Sequence, residues 1–208
     1  ISIEGGGDLM QKTEKLEKRE RIYYKGCTLL VLLFEFLTGI SAVLSVVDFI
    51  RVVFLTPQDL WVGEIGNYLY FSVTNGYSYT PIGGHIPDGL NPKTFAAVWI
   101  AVQFLTSMLP YLIFFESIRR MLCKIAEGHS PLNIAAVRDI KTAGAAMVYV
   151  AVCRGIIEQA VMGLVIYGRV IISNPISIPG LFGGLLILLF AGIYRRGCAL
   201  QQDADETI

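Results

Sequence analysis

Apolar residues in this chain gather into four long runs, separated by polar and aromatic stretches. A helix that crosses a bilayer needs about 20 mainly apolar residues, because each adds about 1.5 Å across a core of about 30 Å. Four segments meet that length: 27–47 with one charge, Glu35; 95–115 with none; 143–167 with Arg154 and Glu158; and 176–194 with none but with Pro179. The unbroken apolar part of the last, 181–194, is short for a span and must borrow length from Ile176 and Ile178 or from a thinned bilayer. The pattern predicts an all-α integral membrane protein of four transmembrane helices. They form one membrane domain over 8–208, preceded by a flexible or tag-like leader at 1–7.

The stretches between the runs carry their own signals. Residues 8–25 are charged and helix-permissive, so a helix continuing into the first span is expected. The longest polar segment, 48–93, is rich in aromatics and holds Pro57, Pro81, Pro87 and Pro92. Within it, 68–74 and 77–80 flank Asn75-Gly76, the turn dipeptide of a two-residue β-hairpin. A lone hairpin is marginal in water, so it must pack on helix ends, on 60–65 or on another subunit. In the loop 116–141, Gly128 suits a helix C-terminal cap, Ser130 an N-terminal cap and Pro131 the first helical position.

Net charge changes the picture only when it is resolved by position. Seventeen Lys and Arg balance seventeen Asp and Glu, which excludes nucleic-acid binding through a bulk basic surface. Before the first span lie Lys12, Lys15, Lys18, Arg19, Arg21 and Lys25; between the second and third lie Arg119, Arg120, Lys124, Arg138 and Lys141; after the fourth lie Arg195 and Arg196. Only Arg51, Lys93 and Arg169 fall on the other side. Basic residues are retained in the cytoplasm, so both termini and the loop 116–141 are expected there, with the hairpin loop 48–93 extracytoplasmic. The lipid bilayer is the constant partner.

Candidate chemistry is sparse. Cys27, Cys123, Cys153 and Cys198 lack any CxxC or Cys/His spacing, so they read as small packing residues rather than a metal site. His85 and His129 both fall outside the spans, which excludes a bis-histidine haem between helices. No cofactor, metal or catalytic set is expected, and the chain does not read as an enzyme. Gly180 and Gly184, with Gly183 beside them, allow close helix approach either within the chain or between subunits of a homo-oligomer.

The charges inside the spans are the strongest local signal, because an ionisable group in hydrocarbon is tolerated when paired or facing a cavity. Spans one and three run parallel, so Arg154 is expected to reach towards Glu35, with Glu158 one turn beyond completing a buried cluster. Span one aligns Thr38, Ala42 and Ser45 with Glu35; span two offers Gln103, Thr106, Ser107 and the kink residue Pro110. Thr38, Ser45, Gln103 and Ser107 are the expected polar lining of the bundle.

Three motifs carry a resemblance. They are Ile125-Ala126-Glu127-Gly128-x-x-Pro131-x-Asn133, the ending that runs from Arg195-Arg196-Gly197-Cys198 to Asp203-Ala204-Asp205-Glu206-Thr207-Ile208, and Thr56-Pro57-x-Asp59-Leu60. With these the chain, from about Lys25 onward, resembles the bacterial domain-of-unknown-function 2975 membrane proteins. Leu132 departs from the aromatic that commonly follows the loop proline there. The resemblance implies a four-helix inner-membrane protein, often encoded beside a small helix-turn-helix regulator, and supplies no catalytic residues. The leading expectation is a regulatory or sensor protein that holds a cytosolic regulator and does not itself touch nucleic acid. Its partner face would comprise Arg119, Arg120, Asn133, Arg138, Arg195, Arg196, Asp203 and Asp205. A small oligomeric transporter or channel, or an accessory subunit of a larger membrane complex, are the alternatives.

Overall fold

The computed structural model describes residues 5–54, 60–65, 68–73, 76–79, 88–126 and 134–206. Helix α1 is Gly5–Phe54; strands β1, β2 and β3 are Leu60–Ile65, Tyr68–Val73 and Gly76–Tyr79. Helix α2, Pro92–Gln103, passes through a π-helical turn, Phe104–Met108, into α3, Leu109–Ala126. Helix α4, Ile134–Tyr149, passes through a second π-turn, Val150–Arg154, into α5, Gly155–Tyr167, and α6 is Ile178–Glu206. Among the described residues, four stretches are long and apolar enough to cross a membrane: Ile22–Phe54, Pro92–Ile125, Ile134–Tyr167 and Ile178–Asp203. These are spans one to four, and the chain is a multi-pass membrane protein.

Each span outruns its apolar run because local chemistry sets its ends. Asn91 caps α2, its side chain accepting from the amides of Lys93 at 3.0 Å and Thr94 at 3.3 Å, with Pro92 at the first helical position. Span three stops at Gly168, whose φ of 65° admits the left-handed cap and whose amide donates to the Leu164 carbonyl. Along α1, the hydroxyls of Thr28, Thr38, Ser41 and Ser45 donate to carbonyls one turn back, at 2.8 to 3.0 Å, so these polar side chains do not face lipid unsatisfied. Helix α1 already includes Gly5, so the end of the expected flexible leader is helical. Extending a formed helix costs far less than nucleating one.

The helices pack in chain order, span one on two, two on three and three on four. Spans two and three form the interior pair, with a third of their apolar windows buried; flanking spans one and four bury 6% and 11% of theirs. Val52, Phe95, Ala96, Trp99, Ile100, Met162 and Ile166 form a buried cluster where the end of α1, the start of α2 and the end of α5 meet. Antiparallel registers follow from the side-chain contacts: Ser45 meets Met108 on spans one and two, and Lys124 meets Asp139 on spans two and three. Gly184 meets Val148 and Gly180 meets Ala151 on spans three and four. These two glycines therefore serve packing within the chain.

The strands form one antiparallel sheet in the order β1-β2-β3. Pairing runs from Leu60↔Val73 to Ile65↔Tyr68, and from Tyr70↔Tyr79 to Val73↔Gly76. Gly76 is thus the first paired residue of β3, whereas the turn dipeptide places it in the connection. Val73 pairs with Leu60 on one side and Gly76 on the other, so the residues between β2 and β3 are 74–75, one earlier than the dipeptide, and they lie outside the described residues.

Span four resolves its length deficit in a way that hydropathy does not show. Helix α6 begins at Ile178, so 176 and 177 are not helical, and the preceding stretch 169–177 doubles back along span three. Ser173 donates its amide to Gln159 Oε1 at 2.7 Å, and Ser177 donates to the Ala151 carbonyl at 2.9 Å. A β-carbon at Gly163 would lie 2.9 Å from the Arg169 carbonyl oxygen, and one at Gly155 would collide with the Pro175 backbone. Ala151, Gly155, Gln159 and Gly163 are spaced by four, so they make one stripe on which the extended chain lies. One side of this irregular backbone is thus met by span three, while Val170, Ile172 and Ile176 remain exposed on the other.

Gly155→Ala is expected to lower stability by about 1–3 kcal/mol through overpacking against Pro175. Gly192→Ala, where nothing lies within 4 Å, should be neutral or stabilising by up to about 1 kcal/mol. Thermal unfolding of both variants in mild detergent measures the contrast; equal melting temperatures would show that the extended stretch does not lie on that stripe.

Candidate functional site

The two π-turns face each other across the interior pair of spans, and a single buried carboxylate lies between them. Glu158, on the first turn of α5, is 2% exposed. Arg154, the last residue of the second π-turn, donates from Nε to Glu158 Oε1 at 2.8 Å. From the first π-turn, Thr106 Oγ1 lies 3.1 Å and Ser107 Oγ 3.4 Å from the same oxygen. Thr106 Oγ1 is also 2.8 Å from the Val102 carbonyl, and Ser107 Oγ is 3.2 Å from Gln103 Oε1. Each hydroxyl has one proton and two acceptors, so each must choose between its own helix and Glu158.

The turns have local causes. Pro110 has no amide proton to continue the α-helical ladder, and just before it the Leu109 amide bonds the Phe104 carbonyl, one residue further back than an α-helix allows. In the second turn, the Ala151 carbonyl accepts the Ser177 amide of the extended stretch, while Gly155 leaves room for Pro175. Single π-turns inside α-helices occur frequently at functional sites.

A second charge cluster lies towards the basic end. Glu116 accepts from Arg119 and Arg120 one turn along α3, and Arg119 Nε lies 2.9 Å from Glu35 Oε2 on α1. Still nearer that end, Lys124 pairs with the buried Asp139 at 2.7 Å, joining α3 to α4.

The expected Glu35–Arg154 pair is not formed. Span two sits between spans one and three, and Glu35 takes Arg119 from it instead. The registers put Arg119 level with about residue 144 of span three, so Arg154 stands some ten residues, or about 15 Å, further along. Arg154 and Glu158 do pair, as the i,i+4 spacing allowed. Glu158 alone of the three charges is fully buried; Glu35 and Arg154 are half-buried. Of the expected lining, Gln103 and Ser107 join the Glu158 cluster. Thr38 bonds back to Phe34, and Ser45 to Ser41 and Met108, so neither reaches it.

The expected caps at Gly128, Ser130 and Pro131 lie outside the described residues, but helix does continue beyond both apolar runs, to Ala126 on span two and from Ile134 on span three, and it carries Glu116 and Asp139 into ion pairs within the bundle. The i,i+3 and i,i+4 spacing of Glu116 to Arg119 and Arg120 was the available signal. Of the expected partner face, Arg119 is half-buried in the ion network, while Arg120, Arg138, Arg195, Arg196 and Asp203 are exposed. Asn133, the side chain of Asp205, His85 and His129 lie outside the described residues. Among the described residues, no three His, Cys, Asp or Glu side chains gather as a metal set.

Glu158→Ala is expected to cost about 1–3 kcal/mol, because it leaves Arg154 without its partner while Thr106 and Ser107 fall back on Val102 and Gln103. The double variant Arg154→Met/Glu158→Leu should recover much of that loss. Thermal unfolding in mild detergent reads both, and a double variant no more stable than Glu158→Ala would contradict the pairing. No protein-family model, curated protein or solved structure matches this chain.

Proposed function

We propose that this chain is a bacterial inner-membrane regulatory or sensor protein that holds a cytosolic partner at its basic end. The observation that carries the reading is the pair of facing π-turns around Glu158. A sensor needs an element with two arrangements of similar energy that a stimulus biases. A π-turn is one extra residue in a helix; absorbing it into α-helix rotates everything beyond by about 100° at 3.6 residues per turn. The hydroxyls of Thr106 and Ser107, each offered two acceptors, are suited to follow such a change.

The readout would lie at the basic end. Beyond that end project the charged start of α1 and the last turns of α6, where 195–206 adds about 18 Å of helix. With Arg120, Arg138, Arg195, Arg196 and Asp203 they make a mixed-charge face suited to a soluble partner, such as a helix-turn-helix regulator. The balance of basic residues favours this end as cytoplasmic, with both termini there and the sheet outside. The resemblance to the domain-of-unknown-function 2975 proteins agrees with this reading. A continuous path lined by Glu35, Arg154 and Glu158 has less support, since Glu35 belongs to a separate cluster.

Two measurements test this. On a cysteine-free background, Asp203→Cys should resist a membrane-impermeant maleimide in intact cells while Tyr77→Cys is labelled; the opposite labelling would reverse the orientation. Purified from its host in mild detergent, the protein should bring down a soluble regulator. Truncation after Arg196 should abolish that retention, and Glu158→Gln should change it severalfold. A partner retained equally by all three proteins, or by none, would sink the reading.

A further inference from the structure

Four basic side chains stand together where spans three and four end at the basic side. Arg138 and Lys141 precede the apolar run of span three, which opens at Ala143, and Arg195 and Arg196 follow directly on Tyr194, where the run of span four ends. All four are exposed. Arg119, Lys124 and Arg154 each have a carboxylate, whereas none of these four pairs with any described residue.

The packing of α4 on α6 sets them at one height. A β-carbon at Gly144 would lie 2.9 Å from the Leu188 side chain, and one at Gly184 would meet Val148, so the antiparallel register puts residue 138 opposite 194 and residue 141 opposite 191. The four therefore fall within about 8 Å along the helix axes, at 1.5 Å per residue. They also share a side. At 100° per residue, Lys141 and Arg138 lie about 50° and 110° round α4 from the seam made by Gly144, Val148 and Ala151. Arg195 and Arg196 lie about 20° and 120° round α6 from the seam made by Gly180, Gly184 and Leu188. Because the helices are antiparallel, both rotations lead to the same side of the contact.

On these two helices no acid offsets the patch. Asp139 turns the opposite way, to Lys124, and the next carboxylate along α6 is Asp203, seven residues beyond Arg196. Like charges one turn apart on a helix repel, so the patch draws an anion. Its height says which anion. Acidic head groups are held by basic pockets between transmembrane helices at this boundary, and a phosphate accepts from Arg in the paired geometry that a guanidinium offers. A soluble acidic chain would meet the turns that project past Arg196 before reaching this level. Towards the hydrocarbon, on the same side, Ala145 and Gly192 are exposed, and nothing lies within 4 Å of a β-carbon at Gly192, so acyl chains have room to lie there.

We propose that the α4–α6 edge binds an anionic phospholipid at the basic end, its phosphate held by Arg138, Lys141, Arg195 and Arg196 and its acyl chains laid over Ala145 and Gly192. Lipid at this patch leaves the turns beyond Arg196 and the start of α1 for the soluble partner proposed above. Binding is measured without that partner, so the two readings fail separately.

The experiment gives the full chain, purified in mild detergent, equal amounts of phosphatidylglycerol and phosphatidylcholine with the same acyl chains, and counts retained lipid by native mass spectrometry. A Lys or Arg near an anionic lipid is worth about fivefold, so the wild type should favour phosphatidylglycerol by at least about tenfold. Excess inorganic phosphate should not displace it. The variant Arg138→Gln/Lys141→Gln/Arg195→Gln/Arg196→Gln should retain the two lipids about equally. A control with as many charges removed elsewhere, Lys12→Gln/Lys15→Gln/Lys18→Gln/Arg19→Gln, should keep the wild-type preference. The proposal is overturned if the wild type retains both lipids equally, if inorganic phosphate displaces phosphatidylglycerol, or if the control loses as much preference as the patch variant. The first two results come from the wild-type chain alone, so they decide the matter even if the patch variant fails to fold.

Discussion

Hydrocarbon supplies no hydrogen bonds, so every polar group carried into it has to find a partner within the protein. The bundle is organised by that demand. Where the group is a lone hydroxyl, as on α1, its own helix satisfies it one turn back. Where it is a carboxylate, Glu116 finds Arg119 and Arg120 on its own helix, but the others draw on span two as well: Glu35 through Arg119, Glu158 through Thr106 and Ser107 beside its own Arg154, and Asp139 through Lys124. The order in which the spans pack is also the order in which these obligations are met.

The same demand explains the two π-turns. A proline in the second span and a foreign amide bonded in the third each interrupt an α-helical ladder, and both interruptions fall around Glu158. An isolated interruption would leave a carbonyl bare in lipid. Paired across the interior of the bundle, they bring Thr106, Ser107 and Arg154 onto one carboxylate, and Ser177 takes up the Ala151 carbonyl. The short apolar run of span four belongs to this arrangement, because the stretch that fails to be helical is the one that bonds Gln159 and Ala151.

Hydropathy made the four crossings legible, since length and composition alone define them, and the i,i+4 spacing made Arg154–Glu158 legible. It could not order the spans around one another. Parallel spans one and three were close in expected depth, yet Glu35 and Arg154 are kept apart by the helix between them. For Glu116 and Asp139 the helical extensions were signalled by Gly128 and Pro131, but hydropathy named no partner for either carboxylate; Arg119 one turn away and Lys124 one helix away supply it. The π-turns have no hydropathic signature at all. Pro110 marked one as a kink, whereas Gly155 gains its meaning only from the backbone of Pro175 lying against it.

Keeping the two charge clusters apart has a mechanical consequence. Both draw on span two, Thr106 and Ser107 on one side of Pro110 and Glu116 and Arg119 on the other, about three turns apart. Were the first π-turn absorbed into α-helix, α3 would rotate by about 100° relative to α2. That rotation would carry Arg119 off Glu35 and Lys124 off Asp139 at once. Each cluster thus holds the register on which the other depends. A single merged cluster of Glu35, Arg154 and Glu158 would have left the length of span two beyond Pro110 without an anchor of its own on span one.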